Sequence, residues 1–440
     1  MKPIYVGLLG AGTVGRGTAA VLKSNAGEIS RRAGRDIQLR MAAGRSMEQV
    51  RAVVGDDVEV VADLHTVVTH PDIDIVVELI GGTTMAKDLV LAAIAHGKHV
   101  VTANKALLAL YGNEIFARAQ EKGVMVAFEA AVAGGIPIIK ALRESLTGNR
   151  IEWIAGIING TSNFILSEMR QHGTSFADVL AQAQQLGYAE ADPTFDIGGH
   201  DAAHKLTIMS AIAFGIPMQF EHAYLEGIAQ LSARDIQYAE ELGYRIKLLG
   251  ITRRTPGGIE LRVHPTLIPV QCLIASVEGV MNAVLVKGDA VGATLYCGAG
   301  AGSLPTASSV VADIVDVTRL HTADPEHRVP HLAFQPDQLS SVPILPMDEV
   351  HCAYYLRVGV VDRVGVLAEL THILAQEGIS IQTMLQKSAD QPGRAEIVLL
   401  THQVVERAVN VALTRIEALD SVVAPITRLR MELLDSDEVS

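Results

Sequence analysis

The first fifteen residues, MKPIYVGLLGAGTVG, constrain the fold more than any other stretch of the chain. The apolar run Ile4 to Leu9 reads as a buried parallel strand. It leads directly into Gly10, Gly12 and Gly15 at GxGxxG spacing, with Thr13 and Val14 between the last two and a helical pattern through Val21 and Leu22 behind them. Glycines at these positions permit a tight turn and let backbone N–H groups close on a pyrophosphate, whose charge rests at the positive end of the following helix. The spacing alone is a weak signal; a strand before it and a helix after it supply the context that the mechanism requires. A chain that opens this way is expected to build a doubly wound α/β sheet of the Rossmann type around a dinucleotide.

The residues that follow extend the alternation. A second strand, Ile37 to Ala43, should end beside the adenosine ribose, where an NAD-preferring site offers an acid. This chain offers Gly44, Arg45 and Ser46 instead. The planar fork of Arg45 suits a 2′-phosphate, so the reading favours NADP, with NAD as the alternative. A buried run at Ile73 to Ile80, a helix over Ala86 to His96, a strand at His99 to Thr102, a helix from about Gly112 to Glu121 and a strand at Val124 to Phe128 complete a nucleotide domain over 1–130. Gly81 and Gly82 end one strand and Asn104 and Lys105 another, at the carboxyl edge where ligands of such sheets bind.

Beyond Phe128 the pattern changes. The bend in AAVAGGIPIIKAL opens a region of mixed strands and helices, taken as an α+β substrate and dimerisation domain over 131–308. An amphipathic helix at 306–320 should pack back on the nucleotide domain. Five prolines between Ala323 and Pro346 mark a linker over 321–348. A β-α-β-β-α-β order over 349–432 then predicts a ferredoxin-like module. Its strands are Ala353 to Val360, Ile379 to Leu385, Glu396 to Thr401 and one near Val422, and its helices Val366 to Glu377 and Val404 to Ala418. The acidic tail Leu434 to Ser440 should fray.

Composition excludes several function classes. A formal charge of −13 argues against a nucleic-acid partner, and small molecules fit better. The three cysteines lie far apart without a CxxC, so no disulfide framework is implied. No twenty-residue apolar span occurs, and glycines break the N-terminal apolar run. The expectation is a cytoplasmic protein without a membrane segment.

The segment Gly187 to Lys205, GYAEADPTFDIGGHDAAHK, gathers Glu190, Asp192, Asp196 and Asp201 before or at the head of a helical run that carries Lys205. Asp201 and Lys205, four apart, share a helix face, and on a surface such a pair contributes only about 0.3–0.5 kcal/mol. A calcium loop is disfavoured because the alternating acids and late glutamate of an EF-hand are absent.

From Ala183 the segment runs AxxxGYAxxDPxxDIxGxDxxxK, and it is similar throughout to the signature of homoserine dehydrogenases. Glu129 to Ile136, the NGTSN run Asn159 to Asn163 and the Asn104–Lys105 pair support the resemblance, which spans about residues 1–320. The C-terminal module resembles the ACT extension that many bacterial members carry. The resemblance implies reversible NAD(P)H-dependent reduction of L-aspartate 4-semialdehyde to L-homoserine. It makes Lys205 the proton donor and places Lys105 near the nicotinamide. Glu190 and Asp201 are implied for the substrate ammonium, and Tyr188, Gly160 and Thr161 for the rest of the pocket. Gly187 and Gly302 would line the cofactor. Glu129, Val132, Gly134 and Ile136 correspond to a monovalent cation site, taken as sodium, in which Glu129 has the only side chain a hard cation wants. The ACT loop, through Asp362, Gly365 and Val366, would bind an amino-acid effector, threonine, in a homodimer or homotetramer; the alternative is an ACT fold used only for assembly.

A lysine acid works better with its pKa brought down, whereas neighbouring carboxylates push it up; a bound substrate ammonium would relieve that tension. Two other classes fit the residues less well. An aspartate-semialdehyde dehydrogenase-like enzyme needs an activated cysteine, and no cysteine lies in the Gly187 to Lys205 segment. A non-catalytic sensor would lack a proton donor, yet both Lys105 and Lys205 are present.

Overall fold

The structure, a computed structural model, describes residues 2–389 and 391–434. Its first half alternates strands β1 (Ile4–Leu9), β2 (Ile37–Ala43), β3 (Glu59–Val61), β4 (Ile75–Glu78), β5 (His99–Thr102) and β6 (Val126–Ala127) with helices α1 (Thr13–Ser24), α2 (Ala26–Ala33), α3 (Met47–Val54), α4 (Leu64–Thr69), α5 (Thr84–Ala95) and α6 (Lys105–Lys122). The six strands form one sheet in the order β3-β2-β1-β4-β5-β6, every pairing parallel. This is the doubly wound arrangement expected, with its reversal of order between β1 and β4. The central strands are apolar on both faces because helices cover both. The helix placed at Gly112 to Glu121 is longer than expected: it begins at Lys105, where the Asn104 side chain caps it.

The chain continues through a single helical turn α7 (Ile138–Lys140), β7 (Ile151–Ile157), α8 (Gly160–His172), α9 (Phe176–Gln185), α10 (Thr194–Ile197), α11 (His200–Phe214), β8 (Tyr224–Leu225), α12 (Ala233–Glu241), β9 (Tyr244–Thr255), β10 (Gly258–Pro269), β11 (Met281–Gly288), β12 (Gly292–Ala299) and α13 (Ser303–Leu320). It closes with β13 (His351–Val361), α14 (Val366–Gln376), β14 (Ile381–Ser388), β15 (Arg394–Thr401), β16 (Val404–Val405), α15 (Glu406–Glu417) and β17 (Thr427–Met431).

These elements divide into two compact units that interleave along the chain: residues 1–160, 201–223 and 280–342 make the first, and 161–200, 224–279 and 343–440 the second. In the first unit, Val310, Val311 and Ile314 of α13 join the apolar core beneath β1 and β4. Burying each such side chain contributes roughly 1.5–3 kcal/mol. The contact is close enough that a Cβ on Gly17 would lie 2.3 Å from the Ser303 carbonyl oxygen. β11 pairs antiparallel with both β7 and β12. The proline-rich stretch expected to be a linker is bound down instead. His331 stacks on Phe116 and accepts a hydrogen bond from the Val126 N–H, while Ser340 N–H donates to Gly215. Prolines suppress periodicity without preventing burial.

In the second unit the ACT strands pair in the order β17-β13-β15-β14, all antiparallel, as a ferredoxin-like module requires. The last strand is not at Val422, which makes one isolated bridge to Val360, but at Thr427–Met431. There it pairs parallel with β10 through Thr266↔Arg430 and Leu267↔Met431. The module is therefore not a tethered bead: its sheet continues into the β9–β10 hairpin. Charges reinforce that seam. Fully buried Arg262 donates to Glu260 and Glu432, and fully buried Arg430 to Glu406 and Glu226. Of the tail expected to fray, residues 435–440 lie outside the described residues.

Candidate active site

Helix α11 is apolar almost all round and buried along nearly its whole length, so Asp201 and Lys205 near its start are not a surface pair. Asp201 is 7 % exposed at its side chain and Lys205 11 %, and Lys205 Nζ lies 2.7 Å from Asp201 Oδ2. Lys105, the first residue of α6, reaches the other carboxylate oxygen at 3.2 Å. Asn159 Nδ2 donates to Asp201 Oδ2 at 2.9 Å, and Lys205 also donates to the Ile158 carbonyl at 2.7 Å. Burial opposes ionisation of Asp201, but the Lys205 and Lys105 ammonium groups outweigh it and hold the carboxyl well below the usual carboxylate range. Two cations and one anion are thus fixed within the first unit, with Lys105 the more open at 32 % exposure. Asn159 and the Ile158 carbonyl were not singled out from the sequence, although Asn159 opens the NGTSN run.

The same unit carries the nucleotide edge. Gly10 has φ of 99°, and a Cβ on Gly15 would sit 2.1 Å from the Gly10 carbonyl oxygen, so the turn admits only glycine at both places. A Cβ on Gly12 would meet nothing within 4 Å: its open side is space for a ligand. Gly12 caps α1 without a side chain, which leaves the N–H groups at Thr13, Val14 and Gly15 without a capping acceptor. These features fit a bound pyrophosphate. Arg45 is exposed beyond β2, and no carboxylate among the described residues lies within ion-pair distance of it. At the end of β4, Gly81 and Gly82 both have φ of 73°. Gly302 caps α13 with φ of 127° and Gly160 begins α8.

Glu78, the last residue of β4, is completely buried, and no motif in the sequence marks it. An acid at the carboxyl end of an otherwise apolar parallel strand was the available signal.

The bend at Glu129 to Ile136 is strained, with Ala133 at φ of 54° and Gly134 at 50°. Both carboxylate oxygens of Glu129 accept backbone N–H groups, from Ile139 at 2.9 Å and Lys140 at 2.8 Å. Burial pushes the Glu129 carboxyl up to about 7 against those two hydrogen bonds. Its side chain caps the turn at Ile138. The Gly134 carbonyl accepts from Ser309 and the Ile136 carbonyl from the Ile138 N–H. Among the described residues no group of three or more His, Cys, Asp or Glu side chains is placed to hold a metal ion.

In the second unit, the Thr161 hydroxyl donates to the Tyr188 carbonyl at 2.7 Å, and the Tyr188 ring meets Phe164 edge-on. Gln184 donates to the Glu190 carbonyl, leaving the exposed Glu190 carboxylate outside that contact. Gly187, with φ of 76°, ends α9. Asp192 Oδ1 accepts from the Thr194 N–H and hydroxyl, which hold its carboxyl below the usual range, so its task is to shape the loop. The Asp196 carbonyl accepts from Ser162. On the ACT module, Asp362 and Gly365 are exposed before α14, and Val366 is buried.

Known proteins share this architecture. Family models described as "Homoserine dehydrogenase, NAD binding domain", "Homoserine dehydrogenase" and "ACT domain" match residues 10–129, 137–315 and 354–421. A homoserine dehydrogenase of Pseudomonas aeruginosa is 61 % identical, covering 99 % of this chain and 100 % of its own length. One of Neisseria gonorrhoeae is 62 % identical over the same shares. The crystal structure of a homoserine dehydrogenase from Thiobacillus denitrificans superposes with a TM-score of 0.95 at 68 % identity, covering 99 % of both chains. Matches of this identity over the full length show that the chain belongs to the homoserine dehydrogenase family.

Proposed function

We propose that the chain reduces L-aspartate 4-semialdehyde to L-homoserine with NADPH, reversibly, as a step in the biosynthesis of threonine, methionine and isoleucine. The observation that carries the mechanism is the cluster Lys105–Asp201–Lys205. The bound nicotinamide supplies the hydride. The protein must supply a proton to the forming alkoxide and positive charge beside it, which a buried, hydrogen-bonded ammonium does well. Lys205, pinned between Asp201 and the Ile158 carbonyl, is the proton donor. Lys105 stabilises the same developing charge from the nucleotide edge, and Asp201 keeps both ammonium groups charged and aimed.

Glu190 and Asp201 bind the substrate ammonium, and Tyr188, Gly160 and Thr161 are further substrate contacts. Gly10, Gly12, Thr13, Val14 and Gly15 hold the pyrophosphate, Gly81, Gly187 and Gly302 line the cofactor, and Arg45 pairs with the 2′-phosphate. A monovalent cation, taken as sodium, is held at Glu129, Val132, Gly134 and Ile136, mostly by backbone carbonyls. Threonine acts at Asp362, Gly365 and Val366 of a homodimeric or homotetrameric enzyme in the cytoplasm; the seam between β17 and β10 supports an effect on the rest of the second unit.

The deciding experiment is homoserine oxidation with NADP by the protein and by Lys205→Ala. The variant should lose kcat by about 10²- to 10⁴-fold while dinucleotide binding persists. Full activity in the variant would refute the assignment.

A further inference from the structure

At the carboxyl edge of β4 and β5, one buried side chain ties together two ligand-facing features that are 24 residues apart in sequence. Glu78 Oε1 accepts the Ile80 N–H at 2.9 Å and the Gly81 N–H at 3.2 Å, which folds the strand end into the Gly81–Gly82 turn. Its Oε2 accepts the Thr102 hydroxyl at 2.6 Å. Thr102 Oγ1 in turn accepts the Asn104 N–H at 3.0 Å. Asn104 closes the circuit: its Nδ2 donates to the Gly82 carbonyl at 2.7 Å and its Oδ1 accepts the Leu107 N–H at 3.1 Å, capping α6. Lys105 is the next residue, and its Nζ meets Asp201.

A buried carboxylate is costly unless its oxygens are satisfied. Structural economy does not call for one here, because the other residues of β4 are Ile75, Val76 and Val77. What the carboxylate provides that an apolar residue could not is a fixed acceptor for two turn N–H groups and a fixed orientation for the Thr102 hydroxyl.

We propose that Glu78 is a positioning residue for the reaction: through Thr102 and Asn104 it sets the Gly81–Gly82 turn and the start of α6 as one piece, and so places the Lys105 ammonium group. This rests on the proposed part of Lys105 in catalysis. A displacement near 1 Å at a reacting group costs on the order of 10²-fold in rate, so loosening the circuit should lower kcat more than it lowers stability.

The test is a double-mutant cycle on the full chain. Thr102→Val removes the bridging hydroxyl while keeping the volume, and Thr102→Ser restores it. Thr102→Val should lower kcat for homoserine oxidation by about 10-fold or more, with some fall in melting temperature because a Glu78 oxygen loses its partner, and Thr102→Ser should recover most of both losses. In a Lys105→Ala background the Thr102→Val effect on kcat should vanish, because the group being positioned is gone. Glu78→Gln, which keeps an acceptor for the two N–H groups, is the second entry to the same circuit and should lie between Thr102→Ser and Thr102→Val. Equal losses from Thr102→Val with and without Lys105 would overturn the positioning role. Unchanged activity in Lys105→Ala alone would instead refute the part given to Lys105 itself.

Discussion

Replacing Asp201 by asparagine should shift the pH dependence of catalysis, and the structure sets the direction. At 2.7 Å from Lys205 Nζ, the carboxylate contributes about 1.5 kcal/mol of attraction at the dielectric constant of water and about 6 kcal/mol at an effective value of 20. Losing that attraction disfavours the charged form of Lys205, so its pKa falls. Reduction needs the protonated lysine, so its activity falls as pH rises through that pKa. The alkaline limb of the reduction profile should therefore move to lower pH in Asp201→Asn. The acidic limb of homoserine oxidation, which needs the neutral amine, should move the same way. The assay is kcat/KM against pH in both directions, for wild type and variant. An unmoved limb would refute either the identity of the proton donor or its pairing with Asp201. Stability supplies an independent check. The folded pKa of Asp201 lies below its unfolded value of about 3.9, so its contribution is complete above that pH and is lost as pH falls through the folded pKa. Asp201→Asn should lose this acid dependence and melt lower at neutral pH, since removing one partner of a buried pair costs about 3–5 kcal/mol.

The other predictions are narrower. Gly12→Ala should leave the melting temperature alone but weaken dinucleotide binding about 10-fold or more, whereas Gly15→Ala, with its 2.1 Å clash, should cost about 1–3 kcal/mol of stability as well; calorimetry and cofactor titration separate the two. Arg45→Ala should raise KM for NADP about 10- to 100-fold more than KM for NAD, the value of a charge-assisted hydrogen bond; equal changes would refute the 2′-phosphate contact. Threonine should inhibit the wild type, and Asp362→Ala should blunt that inhibition without altering basal kcat. No effect of threonine on the wild type would leave the ACT module an assembly role.

Much of the fold was legible because local rules and tertiary demands coincide. β1, the glycine turn and α1 follow from residues adjacent in sequence, and the apolar strands β4 and β5 declare burial on both faces. The module at residues 351–431 was readable for the same reason, except for β17. That strand is set by its partners β13 and β10, which lie about 75 and 165 residues upstream, rather than by its own pattern, in which three of five residues are Thr or Arg.

The candidate site divides along the same line. The sequence alone determined the nucleotide turn, the two lysines, Asp201 and the family signature, since glycine spacing, helix periodicity and residue chemistry are properties of short segments. Only the tertiary structure decided that Asp201 is shared between Lys105 and Lys205, that Glu129 caps a helix turn, and that Glu78 joins β4 to α6. Those facts depend on hydrogen-bond partners brought together from distant parts of the chain, and on burial that makes each partner costly to leave unpaired.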